Sequence, residues 1–245
     1  MSEDEWLTGT DFTAHVRFAL DHLSPRRQRL LAAGFCRAVS DLFDHPDLVK
    51  ALDVIERYAD GLVPAAAVER ARNSCREIAQ RAHDVYVRRV DGKTESGDAV
   101  REWVRSQFAW ALAFAAATPF SVEEVGRRAA GAAAPARVGV VQMMPISSAE
   151  LDDASATQDA VMRGVVREIV GNPFRPALFY RDWQTDTAVS LARQMYESRN
   201  FSALPILADA LQDAGCDDEN ALAHCRGEGP HFRGCWVLDL VLGKE

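Results

Sequence analysis

Three cysteines and two histidines fall within residues 214–240, "AGCDDENALAHCRGEGPHFRGCWVLDL", of a 245-residue chain that holds five cysteines and six histidines in all. Thiolate and imidazole are donors that zinc accepts, so this stretch reads first as a metal site. The same residue types can make a nucleophile. Cys235 stands four residues after His231, which as a base would take the thiol proton. A third chemistry lies in the loop "RGEGPHFRG". Glycines at 227, 229 and 234 let the backbone turn N–H groups inward, and Arg226, His231 and Arg233 add positive charge for a bound phosphate or carboxylate. The plain alternative is packing and turn chemistry. Cysteines then act as small buried hydrophobes, histidines bond loop carbonyls, and the arginines pair with Asp217, Asp218 and Asp239.

Other signatures are missing. The sequence contains no G-x-x-x-x-G-K-[ST], G-x-G-x-x-G, H-E-x-x-H, G-x-S-x-G or C-x-x-C, which argues against nucleotide hydrolysis, dinucleotide chemistry and the common hydrolases.

The elements that must position the tail read as helices. Ser24 and Pro25 start one whose apolar face carries Leu31, Phe35, Val39 and Leu42. A second face runs through Leu48, Leu52, Ile55, Ala59 and Leu62, and a third through Val68, Ala71, Cys75, Ile78, Ala82 and Val85. A fourth spans about 98–117, with Trp103 and Trp110 seven residues apart on one side. The alanine-rich "RAAGAAAPA" and the following "MMPISSAELDDASAT" read as a loop or linker, and "ARVGVVQMM" as a short strand without a partner. Helical spacing resumes in "TQDAVMRGVVREIVG" and ends at Gly171-Asn172-Pro173. Two more helices follow at about 185–199 and 203–214, and Asp218 is placed to cap the short "ENALAHC". Trp236, Val237, Leu240 and Val241 give the last segment a helix-like apolar face that should pack on those two helices. The expected fold is all-α, an irregular multi-helix bundle or stack in two lobes: residues 1–118, a connection over 119–160, and a C-terminal lobe over 161–245.

Composition bounds the partners. Hydrophobic residues make up 48% and charged ones 26%, ordinary for a folded chain. A formal net charge of −8 works against non-specific nucleic acid binding, which needs clustered cations. No apolar run approaches the roughly 20 residues of a membrane span, and the acidic start "MSEDEWLTGT" is unlike a secretory signal. An odd, sparse set of cysteines suits a reduced, cytoplasmic protein.

Both ends of the chain resemble a bacterial helical family of no established activity, much duplicated in some large-genome environmental bacteria. The resemblance is carried by "EDEWLTGTDF", "RRQRLLAAGFCRAV" and "IERYADGL" at one end. At the other it rests on "GNPFRP", "VSLARQMYESRNFSALPI", "LPILADALQDAGC" and "HCRGEGPHFRGCWVLDLVLGKE". It covers roughly 1–65 and 165–245, and the alanine-rich middle is where members differ. It implies that Cys216, His224, His231, Cys235 and Trp236 are the characteristic tail residues and that Cys225 is not. The metal set it points to is Cys216, His224, His231 and Cys235, a two-Cys, two-His composition suited to tetrahedral zinc, spaced unlike the common fingers. The leading expectation is a non-enzymatic helical module that binds another protein or stabilises an assembly, with no cofactor or with zinc. The alternative is a zinc- or phosphate-binding protein, or an enzyme, that uses the Cys/His/Arg loop.

Overall fold

Helix starts follow the capping chemistry of the sequence. Ser2 and Glu5 form a reciprocal capping box on α1 (Glu3–Thr8), and Asp11 caps α2 (Phe12–Leu20). Ser24 accepts from the Arg27 N–H and Pro25 opens α3 (Pro25–Arg37), while Pro46 opens α4 (Pro46–Ala59). The computed structural model describes residues 1–43, 45–91, 97–137 and 148–244. Over these it continues with α5 (Ala65–Asp91), α6 (Gly97–Ala115), α7 (Val122–Arg137), α8 (Ser148–Val170), α9 (Asp186–Ser198), α10 (Leu204–Asp213), α11 (Glu219–Arg226) and α12 (Trp236–Leu242). Among the described residues there are twelve α-helices, two short 3-10 turns and no strand, so the fold is all-α. No described helix is long and apolar enough to cross a membrane.

The buried apolar residues form two clusters. In the first, α3 lies against α4, α6, α7 and α8, and Leu31, Phe35, Leu52, Ile55, Phe108, Leu112, Met162 and Ile169 fill the space between them. The second gathers Ala188, Ala192 and Met195 from α9 with Leu204, Leu207 and Leu211 from α10. It also takes Val237, Leu238 and Val241 from α12, which packs on α9, whereas Leu240, expected on that face, is half-buried outside the cluster.

Two expectations change. The stretch "RAAGAAAPA", read as part of a connection over 119–160, lies within α7, and Ala129, Ala132 and Ala133 are wholly buried in the first cluster. Alanine has the highest helix propensity and no side-chain entropy to lose, so a run of it makes a helix that can approach its neighbours closely. The second half of "MMPISSAELDDASAT", read as part of the same connection, begins α8, whose Met162, Val165 and Val166 join the same cluster. The strand expected in "ARVGVVQMM" falls mostly outside the described residues. Leu62, assigned to the face of the second helix, lies beyond the end of α4 and is 58% exposed.

The terminal segments are tied together by polar groups. The Trp6 indole is fully buried and donates to the carbonyl of Gly171 at 3.2 Å. Gly171, at φ +75, lies against Trp236, where a Cβ would meet the indole ring at 3.0 Å. Arg26 on α3 donates two bonds to Asp239 on α12, at 2.8 and 3.0 Å, and one to Asp60 at 2.9 Å. The Tyr196 hydroxyl donates to Asp60, and Arg199 donates to Glu56 at 2.6 Å. These bonds fix α12, and with it the loop that precedes it, against α3 and α4.

Candidate metal centre

Four elements bring donors to one point. His224 lies in the last turn of α11, a helix set by its Asp218 cap, whose side chain accepts from the Ala221 N–H. The chain leaves α11 at Gly227 and passes His231 on the loop. It returns at Gly234, where φ is +89 and a Cβ would meet side-chain atoms of Leu30 and Ile169 at 3.0 Å. Only glycine permits that approach without a shift of the core. Cys235 follows as the N-cap of α12, its Sγ turned inward and wholly buried. The fourth donor, Glu168, comes from α8 and is 4% exposed.

The donor atoms of Glu168, His224, His231 and Cys235 all lie within 4.8 Å of one another. His224 Nε2 is 3.2 Å from Cys235 Sγ and 3.2 Å from Glu168 Oε2. His231 Nδ1 is 3.2 Å from both carboxylate oxygens. Zinc bonds of about 2.0–2.3 Å in a tetrahedron separate neighbouring donors by about 3.3–3.8 Å, so the 3.2 Å pairs stand close to the edges of such a shell and the wider ones would have to draw in. His231 Nε2 faces the carbonyl of Gly227 at 3.3 Å. As an N–H donor there, it leaves Nδ1 with its lone pair inward, the outer-shell arrangement typical of a metal-bound histidine.

Protonation without a metal follows from the same contacts. Burial favours the neutral carboxyl of Glu168, but hydrogen bonds from His224 and His231 outweigh it and hold its pKa below the ordinary value. Burial opposes charge on His231, and the carboxylate overcomes that and raises the imidazole pKa. Burial, with the Glu168 charge second, pushes the Cys235 thiol well above its usual range. A bound dication reverses this logic, because it favours thiolate, carboxylate and neutral imidazole together.

Nucleophilic chemistry fits poorly. A relay needs the acid on one ring nitrogen and the nucleophile on the other, yet Cys235 and Glu168 face the same Nε2 of His224. The nitrogen at hydrogen-bond distance from Cys235 belongs to His224, whereas the sequence put His231 in that role.

The other expected residues are placed elsewhere. Cys216 is buried in the second cluster at the turn after α10, its N–H bonded to the Leu211 carbonyl, and it is not one of the four converging residues. Glu168 takes its place. Arg226, His231 and Arg233 do not form an anion cradle, because each has a different acceptor. Arg226 reaches Asp209 and Gln212, and Arg233 is buried with its Nε on the Tyr196 carbonyl at 2.9 Å. Glu168 had a signal in the sequence. It lies three residues after Val165 and one before Ile169 on a helix whose Val165, Val166 and Ile169 are fully buried. A carboxylate in such a setting needs a buried partner.

No protein-family model, curated protein or solved structure matches the chain.

Proposed function

We propose that the chain is a non-enzymatic helical module closed by a structural metal ion, zinc, held by Glu168, His224, His231 and Cys235. The observation that carries this reading is the convergence of four lone-pair donors, from α8, α11, the loop and α12, within 4.8 Å of one another. Two imidazoles, one thiolate and one carboxylate suit a borderline ion such as zinc better than hard cations, which prefer all-oxygen sites. Four protein donors fill a tetrahedron and leave no open position for substrate, and burial of Cys235 and Glu168 adds to the closure. A structural role follows. The ion would join α8 of the first apolar cluster to the loop and helices of the second. The wider role, a module that binds another protein, belongs to the same proposal and rests on the sequence reading.

The test is elemental analysis of untagged protein, followed by thermal unfolding with and without chelator. About one equivalent of zinc and a marked loss of stability on chelation are expected. Less than about a tenth of an equivalent, with no chelator effect, would leave the cluster as a hydrogen-bonded Glu–His–His–Cys packing unit.

A further inference from the structure

Beside α12 lies a cavity of ≈ 290 Å³, lined by Arg27, Arg175, Lys244 and Asp239 together with Trp236 and Pro173. We propose that it is a binding site for a small ligand with an oxyanion head, phosphate or carboxylate, and an apolar body. The head group would be held by Arg27 and Lys244.

The argument starts with the cations. Arg27 Nε is buried without a hydrogen-bond partner, and its nearest carboxylate oxygen, on Asp239, is 3.7 Å away. Both oxygens of Asp239 are already bonded by Arg26. Arg27 Nη2 donates to the Ile169 carbonyl, a neutral acceptor that orients the guanidinium without cancelling its charge. Lys244 is more open, its side chain 34% exposed and its Nζ 4.9 Å from the centre of the Tyr196 ring. Its carboxylate contact is Asp60 at 3.8 Å, and Asp60 also takes Arg26 at 2.9 Å and the Tyr196 hydroxyl at 2.9 Å. Burial lowers the Arg27 pKa, with Asp239 only partly opposing it, the direction expected of a cation short of counter-charge. An anion accepting from Arg27 and Lys244 would give Arg27 the counter-charge it is short of, and charge-assisted bonds of this kind are among the stronger ones in proteins.

The rest of the lining sets the body of the ligand. Val170, Pro173, Pro176, Ala177, Trp236 and Leu240 are apolar. The volume lies at the small end of ligand pockets, so the fit is to a compact molecule and not to a dinucleotide. Arg175 is paired with Glu3 at 2.6 Å and serves as wall.

The experiment is isothermal titration calorimetry of the full, metal-loaded chain with phenyl phosphate and with benzoate, and with inorganic phosphate as the bare head group. One-to-one binding by phenyl phosphate or benzoate is expected, and whichever aromatic anion binds identifies the head group. Lys244→Ala should weaken binding about tenfold, the loss of one charged hydrogen bond. Arg27→Gln should weaken it further, with its melting temperature read alongside; if that variant fails to fold, Lys244→Ala decides. The proposal is overturned if neither aromatic anion binds, if Lys244→Ala binds as tightly as the parent, or if binding disappears in His231→Ala while Lys244→Ala retains it.

Discussion

Two buried polar clusters flank the first turns of α12, and they solve the problem of buried charge in opposite ways. Arg26, Asp60, Tyr196 and Asp239 contain donors and acceptors in one set, so cation, hydroxyl and carboxylate satisfy one another at 2.7–3.0 Å. Glu168, His224, His231 and Cys235 bring four possible ligand atoms to a common point, and without a metal protons on the histidines join them. A self-paired network holds a fold together with the groups it has. On the proposed reading the convergent set takes a cation from outside, and burial alone does not tell the two apart. The chemical types of the groups that meet do.

The largest effect expected from this contrast is on the convergent set. Chelation, or Cys235→Ala, should lower the melting temperature by about 10 °C or more, because metal binding free energy is folding free energy. Differential scanning calorimetry of parent and variant, each with and without chelator, measures it. Chelator should have no further effect on the Cys235→Ala protein.

Breaking the self-paired network should cost less and should ignore chelator. Asp239→Asn removes the bidentate carboxylate from Arg26 but leaves it Asp60 and the Tyr196 hydroxyl, a loss of about 1.5–3 kcal/mol by denaturant unfolding. If the Asp239→Asn loss doubled when metal was present, the two clusters would be coupled and the separation drawn here would be wrong.

The pH dependence should differ in sign between metal-free and metal-loaded protein. In the metal-free state the folded pKa of His231 lies above 6.5, so its contribution is complete below about pH 6.5 and is lost as pH rises through the folded value. Glu168, with a folded pKa below 4.5, contributes above about pH 4.5 and loses that contribution as pH falls through the folded value. The chelated protein should therefore be most stable between these limits and weaken toward alkaline pH. The metal-loaded protein should gain stability over the same rise, because binding displaces protons from Cys235 and His231. Melting curves from pH 5 to 8.5, roughly the window in which histidine titrates, test the crossing.

A smaller change is expected at Cys216. Cys216→Ser should leave the metal stoichiometry as it is and cost about 1–2 kcal/mol for placing a hydroxyl in an apolar setting. Loss of metal in that variant would restore the ligand set inferred from the sequence.

The fold was largely legible in the sequence, the site only in part. The faces of α3 to α6, α9 and α10 follow from 3.6-residue periodicity, and the Ser24 and Asp218 caps from local chemistry. The alanine-rich α7 was missed because low complexity resembles a linker until one asks what alanine does when a helix packs tightly. Three of the four converging donors, His224, His231 and Cys235, lie within one loop and its flanking helices, where sequence proximity exposes them. Glu168 reaches them from α8 through tertiary packing, and Cys216 is turned into the second apolar cluster by the turn at Gly215. Chain proximity could not distinguish the two.

The central claim is most directly tested by zinc K-edge X-ray absorption on the purified, untagged chain. The account predicts a four-coordinate shell with one sulfur at about 2.3 Å and three nitrogen or oxygen atoms at about 2.0–2.1 Å. A shell with two sulfurs, or protein with no bound zinc to give an edge, would contradict it.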